Sequence, residues 1–172
     1  MSLSIAEARP FGFAPYLPSV VAESTLESCR EAYQQNRRRV YSFAFWMTDH
    51  ELAAEQLMIQ TFARAFAHSG QVSAEDIDRA LIAELREIMP VGNLRLNCSP
   101  CERVLGVRRN TLRVDLERAV VQLPATEKLM FLMHDVEGYD HTRIARLLGV
   151  TEDDSRQGVY QARLRMRELL AN

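Results

Sequence analysis

LPATEKLMFLMHDVEGYDHTRIARLLGVTEDDSRQGVYQARLRMRELL, Leu123 to Leu170, is the stretch that decides the fold. It holds three helical patterns separated by tight turn signals. Pro124 starts the first, with Leu129, Met130 and Met133 as core candidates, and Gly138 closes it. Asp140 caps a short helix with Ile144, Leu147 and Leu148 inward, and Gly149 is its left-handed stop. Thr151 caps the last helix, where Val159, Ala162, Met166 and Leu169 form the inward stripe. This pattern is the sequence form of a helix-turn-helix, which lays its second helix in the DNA major groove. The outward positions of that helix are Arg156, Gln157, Tyr160, Gln161, Arg163 and Arg167. Arginine and glutamine reach base edges, and arginine, tyrosine and glutamine also bond phosphates. A surface helix rich in arginine for solubility would share this composition. The short preceding helix and the Gly149 turn favour DNA.

Upstream of this stretch the periodicity is again helical. Residues 24–47 place Leu26, Cys29, Tyr33, Val40, Phe43 and Met47 at spacings that suit one face, interrupted by Asn36. Thr48 to Glu51 reads as a capping box, Thr48 the cap, opening a second helix to about His68 with Leu52, Ile59, Phe62 and Phe66 on one face. Gly70 ends it. Ser73 and Asp76 open a third helix, with Ile77, Leu81, Leu85 and Ile88 inward and Pro90 as its stop. Three helices with short turns make a small bundle. A fourth, from Thr111, presents Leu112, Leu116, Ala119, Val120 and Leu123. No strand pattern is found. The expected architecture is all-α: a mobile tail at 1–22, a three-helix bundle at 23–90, a linker at 91–110 and a four-helix helix-turn-helix domain at 111–172.

Composition narrows the function classes. A chain of 172 residues with 47% apolar residues can build packed cores. No apolar run approaches the roughly 20 residues that span a bilayer, and the N-terminus lacks the pattern of a secretory signal. Three cysteines suggest no disulfide framework, which favours the cytoplasm. The net charge of −2 is mildly unfavourable for a nucleic-acid binder. Its distribution is less so, because positive charge gathers in the linker and the final helix.

The motifs resemble those of the extracytoplasmic-function (ECF) branch of the sigma-70 family, of which the chain reads as a divergent member. Leu123-Pro124, Glu137-Gly138-Tyr139, the run Ile144 to Val150 and the run Gln161 to Arg167 stand where the family's fourth conserved region has its helix opening, its E-G turn, its I-A-x-x-L-G-V core and its R-A-R-x-x-L-R run. Ala54 to Phe62 (AEQLMIQTF) and Arg37-Arg38-Arg39-Val40-Tyr41 resemble its second region. The resemblance implies a transcription initiation factor whose partners are core RNA polymerase and promoter double-stranded DNA. An anti-sigma partner is an option the sequence leaves open. It implies polymerase contact by Glu55, Gln56, Gln60 and Arg64. It implies upstream-element readout by Arg156, Gln157, Tyr160, Gln161 and Arg163. No catalysis, cofactor, metal or membrane insertion is expected of the factor itself.

The chain departs from the family pattern in places. Gly158 stands where the final helix usually has a second basic residue, and glycine inside a helix costs about 1 kcal/mol relative to alanine. Asp153 and Asp154 suit a helix N-terminus but crowd one that must approach phosphate. The third helix lacks the tryptophan and the basic exit that handle melted DNA. Two rival readings follow: a degenerate sigma-like protein acting by protein contact without promoter opening, or a stand-alone helix-turn-helix regulator. Cys98 and Cys101 form a C-x-x-C, yet a structural zinc site needs about four ligands and no histidine lies near the pair in sequence. His50, His68, His134 and His141 fall near helix ends, where capping or solvated roles are expected.

Overall fold

The computed structural model describes residues 20–67, 71–89 and 111–171. The tail before Val20, His68, Gly70, Pro90 and the linker with its Cys98–Cys101 pair lie outside the described residues. Within them the chain is all-α, with no strand. The helices are α1 (Val20–Thr48), α2 (Glu51–Phe66), α3 (Ala74–Ile88), α4 (Arg113–Gln122), α5 (Ala125–Phe131), α6 (His141–Leu148) and α7 (Glu152–Ala171). A π-helical turn, Leu132–Val136, continues α5. Helix α2 packs between α1 and α3, and α7 packs on α4, α5 and α6. These two groups also touch: α3 meets α6, and α1 meets α4 and α5.

Local chemistry sets the boundaries. Ser73 and Asp76 make the expected capping box of α3. Asp140 accepts from the Arg143 N–H at 2.7 Å. Thr151 Oγ1 accepts from the Asp154 N–H at 3.0 Å, while the Asp154 carboxylate takes the Thr151 N–H at 3.1 Å. Gly138 and Gly149 sit at φ +72 and +67, where any side chain would be strained. Thr48 is not the cap of α2. Helix α1 runs through it, and its hydroxyl donates back to the Ala44 carbonyl at 2.8 Å. Asp49 takes the left-handed turn at φ 52, a conformation aspartate tolerates. That leaves His50 extended, with Nδ1 accepting from the Ala53 N–H at 3.4 Å.

The bundle core differs from the expected stripes in a regular way. Val40, Phe43, Met47, Phe62, Ile77, Leu81 and Leu85 are buried as expected. In α2, however, the inward face is Ala54, Leu57, Thr61, Phe62 and Ala65, and Leu52 and Ile59 point to solvent, Leu52 70% exposed. Large apolar side chains dominate a periodicity reading. A helix squeezed between two neighbours instead turns its small residues inward, where the backbones come closest. Leu26 is exposed because α1 has 29 residues and α2 only 16. At 1.5 Å per residue, α1 overhangs by about 20 Å. Ile88 is exposed on the last turn of α3. The face of α4 toward the end of α7 carries Asp115, Ala119 and Gln122, which turns Leu112 and Leu116 outward. On α7, Leu170 is more deeply buried than Leu169.

Candidate nucleic-acid interface

Helices α6 and α7 are joined by Gly149, Val150 and Thr151. The Val150 N–H bonds to the Ala145 carbonyl at 3.1 Å, a closed C-cap that fixes the angle between the helices. Thr142 of α6 donates to Glu152 of α7 at 2.8 Å. Ile144, Ala145, Leu147, Leu148, Val159, Ala162 and Met166 are buried. This is the helix-turn-helix the sequence predicts, with α7 in the position of the reading helix.

The expected reading residues fall into two groups. Tyr160 (60% exposed), Arg156, Arg163 and Arg167 face solvent, while Gln157 and Gln161 are half-buried. The arginines are held by neighbouring acids. Arg156 donates to Asp153 at 2.8 Å and to Glu152 at 3.0 Å. Arg163 Nε donates to Asp135 of the π-helical turn at 2.9 Å, and this hydrogen bond holds the Asp135 carboxyl below the usual carboxylate range. Arg165 Nε lies 2.7 Å from Glu127. The Arg156 and Arg163 pairs lie at the surface, where such pairs are worth about 0–1 kcal/mol each, so each can yield to a phosphate or a base edge; the Arg165–Glu127 pair is buried on the Glu127 side. Asp153 and Asp154 do not simply crowd the helix start: the first holds Arg156 and the second completes the cap. His141 stacks on His134 at 4.5 Å and shares a 3.0 Å hydrogen bond with the buried Ser155 hydroxyl.

Gly158 is not on the outward edge of α7. It is buried against α5, and a Cβ there would meet Met130 Sδ at 2.1 Å. The glycine lets α7 close on a fully buried methionine; a basic residue at this position could not fit the same packing. A lone glycine in an amphipathic helix is the sequence signal for such an approach.

The expected polymerase residues lie along α2. Glu55, Gln56 and Gln60 are exposed on its outward side. Arg64 is instead drawn onto α3, where its guanidinium bonds Glu84 and Glu87 at 2.5 Å each. These pairs raise its pKa further.

One centre has no counterpart among the expected site residues. Asp78 of α3 is 3% exposed and accepts from Arg39 of α1, from the Tyr139 hydroxyl and from Arg143 of α6. The signal for it was present: Asp78 lies one turn before Leu81 and Ile82, on the apolar side of α3. An acid in that register needs a cationic partner.

Against known families, residues 103–166 match the model described as sigma-70, region 4. No curated protein matches the chain. The match covers the linker end and all of the helix-turn-helix up to Met166, and region 4 is a DNA-binding regulatory domain family. The C-terminal helices thus carry a sigma-70 region 4 domain.

Proposed function

We propose that this chain is a sigma-like transcription initiation factor of the ECF type, which binds core RNA polymerase and directs it to promoter DNA. The observation that carries the reading is the region 4 match laid on a helix-turn-helix whose second helix presents Arg156, Tyr160 and Arg163 outward. In this reading those residues, with Gln157 and Gln161, read the upstream element in the major groove. The outward face of α2 meets the polymerase. Support comes from Leu52 and Ile59, which are exposed beside Glu55, Gln56 and Gln60; exposed apolar groups rimmed by polar ones suit a protein contact. Arg64 joins only by leaving Glu84 and Glu87. The bundle, the linker and the region 4 domain would then divide the work as the sequence motifs imply. The cytoplasm is the compartment such a factor needs, and no described helix is long and apolar enough to cross a membrane.

Reconstitution with core polymerase, followed by run-off transcription on fragmented genomic DNA, tests this. Defined transcripts that depend on the factor are expected. Leu52→Asp with Ile59→Asp should abolish them while leaving the fold intact, because both side chains are already in water. Transcripts unaffected by that pair would remove α2 from the contact.

The ion pairing of Arg156, Arg163 and Arg165 favours a second reading, a sigma-like protein that works through protein contact without opening promoters. Co-purification with core polymerase without any transcript selects it. A dimer that binds palindromic duplex without polymerase would instead indicate a stand-alone regulator.

A further inference from the structure

The contact between α3 and α6 carries a series of polar contacts along its length. Asp78 takes hydrogen bonds from Arg143 Nη2 at 2.7 Å and from the Tyr139 hydroxyl at 2.9 Å. Arg146 Nη1 reaches Glu75 at 3.2 Å. Arg86 donates to the Leu148 carbonyl, at the end of α6, at 2.6 Å. So α3 supplies two carboxylates and α6 supplies two guanidinium groups. Helix α6 is the first helix of the helix-turn-helix, the one that crosses the DNA backbone in such complexes, and arginine is a main donor to phosphate oxygens. The same guanidinium groups cannot serve the α3 acids and a duplex at once.

The two halves of this contact are also self-sufficient. Arg39 Nη1 bonds Asp78 at 2.7 Å within the N-terminal helices. The Arg143 guanidinium lies 3.8 Å over the Tyr139 ring within the C-terminal ones. Parting the halves therefore leaves neither Asp78 nor Arg143 without a partner, and polar contacts between domains allow relative motion.

We propose that Glu75 and Asp78 act as an intramolecular stand-in for DNA phosphate, latching α3 onto α6 and withholding Arg143 and Arg146 from duplex DNA until the two halves part. The inference rests on the DNA-binding reading above. It is tested on the full chain by small-angle scattering together with titration of a duplex over a salt series. One variant cuts the latch from the acidic side, Glu75→Gln with Asp78→Asn. A second, Arg143→Gln with Arg146→Gln, cuts it from the more exposed basic side and guards against misfolding of the first; circular dichroism confirms helicity for both. Glu27→Gln with Glu31→Gln, exposed on α1, makes the same charge change elsewhere.

The wild-type radius of gyration should lie near the roughly 16 Å of a compact chain of this length, and both latch variants should exceed it by several ångströms. The acidic-side variant should bind duplex more tightly than the α1 control, with a salt slope steeper by about 0.9 for each arginine freed. Unchanged dimensions in both latch variants, or an equal gain in the α1 control, would overturn the proposal. Expansion of the variants with no duplex binding by any of the proteins keeps the latch but removes DNA as its competitor, and counts against the reading on which it rests.

Discussion

Helix α7 meets its surroundings on two faces of opposite chemistry. Inward, Gly158, Val159, Ala162 and Met166 close on α5 and its neighbours by apolar packing, Gly158 backing onto Met130. Outward, Arg156 and Arg163 lie across acids of α7 itself and of the π-helical turn. The inward face depends on shape, which cannot be satisfied in part: interiors are close-packed, and one added methylene is felt. The outward face depends on charge pairs in water, which are weak and exchangeable. Helix α7 is thus held rigidly by one side while its donors stay available on the other.

Breaking the inner face should have the largest effect. Gly158→Val puts a branched Cβ into Met130 Sδ and should destabilise the chain by about 1–3 kcal/mol through overpacking, read from the urea midpoint. Combining it with Met130→Ala should cost less than the sum of the two single changes, since the cavity takes up the clash. A cost equal to the sum would mean that α7 can shift, and the contrast between the faces would fail.

The boundary between the faces should respond to pH. Burial, and then the neighbouring His134, Arg156 and Arg163, hold His141 below the ordinary histidine value, with Glu152 opposing. The unfolded chain therefore takes up this proton more readily than the folded one. Stability should be full above about pH 6.5 and fall as the pH drops through that value. Asp135, held low by Arg163, contributes its loss only at more acid pH, through the carboxylate range. Urea midpoints between about pH 7.5 and pH 5.5 should fall for the wild type and stay flatter for His141→Gln. Equal slopes would remove His141 as the cause.

The outer face should show the smallest change in stability. Arg156→Ala should move it by no more than about 0.5 kcal/mol, because its pairs with Glu152 and Asp153 are exposed. If Arg156 contacts a base, the same change should cost about 1–3 kcal/mol of discrimination at one position of the bound sequence. A large loss of stability with no change in sequence preference would show that the pair is structural.

The legibility of the sequence followed the same division. Caps and turns were readable because they depend on residues three or four apart: Ser73 with Asp76, Asp140, Gly149 and Thr151 all act where the sequence predicts. The helix-turn-helix was readable for that reason, and the region 4 match falls on it. The inward face of α2 was not. Periodicity favoured Leu52 and Ile59, while packing between α1 and α3 selected Ala54, Leu57, Thr61 and Ala65. Thr48 has the local pattern of a cap because nothing near it in sequence shows that α1 runs on until Asp49 turns the chain.

The sequence by itself determined an all-helical fold, the position of the helix-turn-helix and the side chains its second helix offers, because helix periods, caps and glycine turns are set by near neighbours along the chain. Only the tertiary structure decided that Gly158 serves packing rather than readout, that Asp135 holds Arg163, and that Asp78 gathers Arg39, Tyr139 and Arg143. Those partners lie 28 to 65 residues apart in sequence, or, for Arg39 and Tyr139, 100. Spacing along a chain carries no information about such meetings; they are fixed by which helix faces close on one another.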